Sequence, residues 1–418
     1  MMIKTAKGCI NVSDSKMLEP TGAALTALDP TFRENPHEYL EYLRLTDPVH
    51  QDREFDRVVL TRAQDISSTL NDRTLSSDAR KSRPGSFSRA TLGVDENYQP
   101  FMLHMDDPDH KRLRDLVSKA FTQRSVDAMR TRIEAIANRL LDEVADSSRF
   151  DVMEAYAKPL PTIVIAEMLG VDESDQRDFK RWSDAQGYFF SPARTAEQQT
   201  SLEWGRGALN SYFAEVVNRR RKERGTDLIS TLIEAEEEGE QLSEAEIISV
   251  CQLLMLAGNI TTTDLIGNGV LALLRHPSEL AKLRAQPDLD RNMVEEVLRY
   301  DSPVVTATRV TTTSRQIGGC PVAAGQTITA SLLAANYDPS VHSEPGKFDI
   351  ERAHKRHHSF GGGAHFCLGA PLARAEAQIA IPLIFVRFPK LRLMADFTPV
   401  HKSLPSFNGL ESLWVDAS

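Results

Sequence analysis

The chain has 418 residues, 41% of them hydrophobic, and a formal net charge of −10 at pH 7. It is long enough to bury a sizeable core and too acidic for a general nucleic-acid binder. No run approaches the roughly 18 to 20 consecutive apolar residues that span a bilayer, and the polar start of the chain lacks the apolar core of a signal peptide. Cys9, Cys251, Cys320 and Cys367 are far apart and show no spacing for zinc, an iron–sulfur cluster or a disulfide framework. The expectation is a soluble cytoplasmic protein whose partners are small molecules or proteins, with no nucleic acid and no membrane.

No repeat, low-complexity tract or linker divides the sequence, so residues 19–418 read as one domain behind a loose N-terminal segment, 1–18. In chain order, Phe55–Arg62 reads as a strand through Val58, Val59 and Leu60. Helical three- and four-residue spacing follows over His110–Phe121, Ser125–Asp146, Glu203–Glu223, Ser243–Arg275 and Asp288–Tyr300. Ser243 and Glu246 fit a capping box, and the long apolar helix they open is expected to cross the interior. Thr327–Ala335 reads as a second strand. The composition of elements is mainly α with a smaller β portion.

Near the C-terminus, Phe360-Gly361-Gly362-Gly363-Ala364-His365-Phe366-Cys367-Leu368-Gly369 sets one cysteine behind a glycine-rich turn. An Ala- and Leu-rich run from Leu368 to Ala380 follows, with Pro371 near its start, and reads as a helix. Glycines let backbone amides approach a sulfur, and a helix N-terminus adds partial positive charge; both favour a thiolate. A lone buried cysteine beside a structural turn is the other reading. The full spacing F-G-x-G-x-H-x-C-x-G resembles the haem-binding loop of the cytochrome P-450 family. That resemblance implies the P-450 fold, haem b (iron protoporphyrin IX) buried between the long central helix and the cysteine-loop helix, and Cys367 as axial ligand to the iron.

The same resemblance extends along the chain. Ala257-Gly258-Asn259-Ile260-Thr261-Thr262 is similar to the family's distal motif, which implies close approach of haem and dioxygen at Ala257 and Gly258 and a donor hydroxyl on Thr261. Ile260 stands where the family usually has an acid and cannot relay protons. Asp264, one turn later, is the candidate substitute through water, or else an ordinary packing aspartate. Glu296 and Arg299 match E-x-x-R, with Arg352 as the second arginine. His110, Arg114, Arg309 and His365 match positions that contact the propionates, with Phe360 opening the loop.

Substrate walls are implied around Ser86–Met102, Gln186–Ala193, Leu253, Val304–Ala307 and Ser406–Leu410. The activity implied is insertion of one oxygen atom of O2 into an apolar small molecule. No flavin or nicotinamide fingerprint follows a strand, so electrons are expected from a ferredoxin with ferredoxin reductase, steered by Lys111, Arg112 and Lys119. Two rivals stay open: peroxide-driven oxidation, desaturation or coupling at the same haem, and a haem-based binding or sensing protein.

Overall fold

The capping box expected at Ser243 forms. Ser243 Oγ accepts from Glu246 N–H at 3.3 Å, and Glu246 Oε2 accepts from Ser243 N–H at 2.8 Å. Two otherwise unsatisfied amides are thereby occupied, and the central helix runs from Glu244 to Arg275. The structure, a computed structural model, describes residues 2–5, 8–11, 20–96, 98–190, 194–237, 242–353 and 356–418. Of the N-terminal segment 1–18 only Met2–Thr5 and Gly8–Asn11 are described, as an antiparallel hairpin; the rest lies outside the described residues.

Around the central helix pack Gln123–Asp142, Pro159–Met168, Ala196–Lys222, Asp290–Tyr300 and Ala370–Arg387. Their apolar residues merge into one core with those of the central helix. A smaller core lies against a four-stranded sheet ordered Val49–Asp52, Arg57–Leu60, Thr327–Ser331, Thr306–Val310. Arg57–Leu60 runs parallel to Thr327–Ser331, with Val59 opposite Thr329; the outer pairings are antiparallel.

The expected strand Thr327–Ala335 is corrected in its second half. Ser331 Oγ accepts from Ala334 N–H at 3.2 Å and starts a short helix, Leu332–Asn336. A serine cap on an alanine–leucine run turned the chain where hydropathy alone suggested continuity. The helix expected from Glu203 begins at Ala196, because Thr195 and Gln198 form a second capping box. Among the described residues, the central helix is the one long and apolar enough to cross a membrane; here it is the core helix of the fold.

Candidate functional site

Gly361 and Gly363 have φ of 69° and 66°, the left-handed region that glycine enters freely. At Gly363 a Cβ would also lie 2.1 Å from the Leu70 carbonyl oxygen, so the turn excludes any side chain there. Phe366 N–H donates to Gly363 O at 3.1 Å and Cys367 N–H to Phe360 O at 3.0 Å. Arg114 clamps the loop by donating to Phe366 O at 2.5 Å, and the Arg374 guanidinium sits 4.5 Å above the Phe360 ring.

Cys367 faces a gap in the protein and is exposed to it. Burial is nevertheless the largest influence on its thiol and pushes the pKa up; the Gly369 amide, Arg114, Arg374 and the Ala370 amide pull it down. The local devices act in the expected direction, toward the thiolate, and burial opposes them. A bound metal ion deprotonates such a thiol outright.

One edge of the gap is cationic. The His110 and His365 rings stack with centroids 3.9 Å apart. Burial, then the charges of His110, Arg309 and Arg114, hold the His365 pKa down to about 3. Arg309 is 7% exposed and donates to Thr308 O at 2.8 Å. Among the described residues no carboxylate comes within ion-pair distance of it. The nearest acid to act on it, Asp106, is already bonded to Ser76 Oγ, Ser77 N–H and Lys81 Nζ. His110, Arg309 and His365 border a cavity of about 250 Å³. A wider cleft of about 710 Å³, between Gln123–Asp142, Pro159–Met168 and residues 225–231, is separate from these groups and lined by the ion pairs Arg132–Glu167 and Arg220–Asp227.

On the central helix, Leu253–Leu256 and Thr262–Leu273 are buried, yet Ala257 between them is exposed and Gly258–Thr261 half-buried. An exposed alanine in the middle of a core helix marks an internal opening. At the half-buried Gly258, a Cβ would lie 3.8 Å from Ile165 of the neighbouring helix. The Thr261 hydroxyl donates to Ala257 O at 2.7 Å, so in this rotamer it turns lone pairs toward any other group.

Asp264, the candidate substitute for the missing acid, is held from the C-terminal turn. It is fully enclosed, and Lys402 Nζ donates to its Oδ1 at 2.6 Å. Burial raises its carboxyl to about 6 against the pull of Lys402. Asn259 instead makes the polar contacts on this stretch, donating to Ser183 Oγ at 2.7 Å and accepting from Thr162 Oγ1 at 3.0 Å.

Residues 33–394 match the family model described as Cytochrome P450. The chain belongs to the cytochrome P450 family. It is 39% identical over 380 residues to cytochrome P450 107B1 of Saccharopolyspora erythraea, covering 89% of this chain and 92% of that protein. It is 41% identical over 348 residues to 6-deoxyerythronolide B hydroxylase of the same organism, covering 82% and 85%. Among solved structures, the myxobacterial cytochrome P450 CYP267B1 in complex with myristic acid superposes with a TM-score of 0.86 at 36% identity, covering 94% and 98%.

The cofactor of this P450 is therefore haem b, and its side chains fit that group. The Cys367 sulfur opens onto the gap, the exposed Ala257 belongs to the central helix, and the buried Arg309 lacks the anion that a propionate supplies. Below the cysteine loop, Glu296 accepts from Arg299 Nε and Nη2 at 2.9 and 2.8 Å and from Arg352 Nε at 3.1 Å. Both guanidiniums also donate to the Lys347 carbonyl, tying the helix to the following loop.

The sequence reading missed Glu295, which holds Arg374 through both oxygens and His357 at 3.1 Å; its only trace was an acid beside the matched Glu296. It also missed Lys402, the one lysine in the mixed run from Asp396 to Leu413. Of the expected substrate segments, residues 97 and 191–193 lie outside the described residues. Phe101, Phe189, Phe190 and Phe407 form a continuous aromatic chain, with successive centroids 5.9, 5.1 and 4.7 Å apart.

Proposed function

We propose that this P450 monooxygenase oxidises an extended apolar molecule, with electrons from a cytoplasmic ferredoxin and its reductase. The observation that carries the reading is the aromatic chain Phe101–Phe189–Phe190–Phe407, which joins three separate segments into one apolar wall. The relatives point the same way: one is a 6-deoxyerythronolide B hydroxylase and another is described with myristic acid.

The haem, bound through Cys367, supplies the activation of dioxygen and the transfer of one oxygen atom. The chain's own residues orient and shield. His110, Arg309 and His365 offer cations and imidazole N–H groups to the propionates, and Arg114 holds the loop carrying Cys367. Leu253 adds apolar surface to the central helix, Ala257 keeps it free of bulk where it is exposed, and Ile260 places no carboxylate there. Thr261 can donate a proton on this face only by rotating away from Ala257 O. For the reductant, Phe366 is exposed beside Cys367, and Lys119 ends the helix that carries Arg114. Lys111 and Arg112 contribute less steering than their sequence suggests, being paired with Asp115 and Glu246.

A specific observation favours a second reading, oxidation driven by hydrogen peroxide. Ile260 replaces the acid, and the one hydroxyl beside it is engaged with the backbone. Turnover supplied with NADH, a ferredoxin and its reductase, compared with turnover supplied with hydrogen peroxide, separates the two. Product formation only with peroxide would overturn the first.

A further inference from the structure

We infer that the Asp264–Lys402 ion pair is a clasp that seats the C-terminal turn, Ser403–Asn408, over the substrate site, making Asp264 and Lys402 positioning residues that set selectivity for long apolar ligands. The inference rests on the apolar-substrate reading above.

The turn leaves and re-enters a short hairpin in which Val400 and His401 pair with Ser412 and Leu410. Its neck is closed by Lys402 N–H donating to Gly409 O at 2.8 Å. Immediately at that neck, Lys402 Nζ reaches Asp264 on the central helix. The fit is close: a Cβ at Gly409 would lie 2.0 Å from Asp264 Cγ. Gly409 is therefore needed to admit the carboxylate, whatever its backbone angles.

A second set of bonds holds the other strand of the turn. Asn408 Nδ2 donates to Asp301 Oδ1 at 2.5 Å, and Asn268 Nδ2, one turn along the helix from Asp264, donates to Asn408 O at 2.8 Å and to Asp301 O at 3.1 Å. What these bonds hold in place is Phe407, which packs on Phe190 and bridges to Val304. Val305, next along, donates to Ser406 O at 3.0 Å.

The polar bonds thus lie on the core side of the turn and the apolar ring on the substrate side. An enclosed carboxylate without its cation is strongly unfavourable, so removing Lys402 forces Asp264 either to take up a proton or to reach water by lifting the turn. Either outcome removes the bond that ties this neck of the turn to the central helix. Asn268 and Asp301 keep the far end attached, so the expected change is a loosened wall and not an unfolded one.

The test uses the holoenzyme and two probes that bind its iron, 1-methylimidazole and 1-dodecylimidazole, with dissociation constants read from the Soret shift. The long probe carries an apolar chain for the aromatic wall to bind and the short one carries none. In Lys402→Met and in Gly409→Ala, binding of the long probe is expected to weaken about tenfold, with binding of the short one changed less than twofold. Lys402→Arg is expected to restore the wild-type ratio. The double variant Asp264→Asn/Lys402→Met should be no worse than either single variant, because both remove one interaction.

An unchanged long-to-short ratio in both Lys402→Met and Gly409→Ala overturns the clasp. So does an Asp264→Asn variant with normal ratio but reduced product per NADH, which would assign Asp264 to proton delivery. Failure of the apolar-substrate reading shows separately, as a wild-type protein that does not prefer the long probe.

Discussion

Arg309→Met is expected to move two properties of this P450 in opposite directions. The Arg309 guanidinium is buried, and burial depresses its pKa more than Asp106 raises it, so its charge is poorly compensated by the protein. A buried charge without a partner costs several kcal/mol. Replacing it by an apolar side chain of similar length should stabilise haem-depleted protein by about 1–3 kcal/mol, after allowing for the lost bond to Thr308 O. The same change removes a charge-assisted bond to a propionate worth about 1.5–3 kcal/mol, which is about 10- to 150-fold in haem affinity. Urea unfolding of the haem-depleted protein measures the first effect, and haem transfer to apomyoglobin measures the second. The reasoning is refuted if Arg309→Met destabilises the haem-depleted protein, or if haem transfer proceeds at the wild-type rate.

Cys367→Ser is expected to abolish the thiolate-type absorption of the reduced carbon monoxide complex, because an alcohol is a poor ligand for this iron; Cys251→Ser and Cys320→Ser should leave it intact. Arg299→Ala should lower stability by about 3–5 kcal/mol by removing the two-bond guanidinium partner of the enclosed Glu296 and leaving it Arg352 Nε, seen as loss of soluble haem protein, whereas Arg352→Ala, which leaves both Arg299 bonds on Glu296, should be milder. Glu376 is buried, and burial alone pushes its carboxyl from an ordinary 4.5 up to about 8. The fold binds the extra proton, so its stabilising contribution is complete below about pH 4.5 and is lost as pH rises to about 8, the loss reaching about 5 kcal/mol at the upper end. Glu376→Gln should therefore gain stability over wild type progressively between pH 5 and 9 in denaturant titrations; parallel curves at both ends of that range would contradict the assignment. Thr261→Ala should lower product formed per NADH and raise hydrogen peroxide release if the hydroxyl rotates toward the substrate side during turnover, and equal coupling in mutant and wild type would leave Thr261 as a helix back-bonding residue.

What the sequence determined by itself was local. The Phe360–Gly369 loop announced its chemistry because left-handed glycines, a cysteine and a helix start have to be close in the chain to act together, and spacing alone records that. Ser243 and Glu246 marked the start of the central helix for the same reason, and Glu296–Arg299 marked one face of a helix. The tertiary structure decided the rest, because it depends on which distant groups meet. Asp264 and Thr261 looked alike as polar residues one turn apart, yet Asp264 is claimed by Lys402, 138 residues away, and Thr261 by the carbonyl four residues before it. That Gly258 lies against Ile165, 93 residues earlier, is likewise a matter of packing. The thiolate preference of Cys367 depended on a balance that no local pattern contains: how much of the chain surrounds the sulfur fixes the desolvation that opposes the amides and arginines beside it.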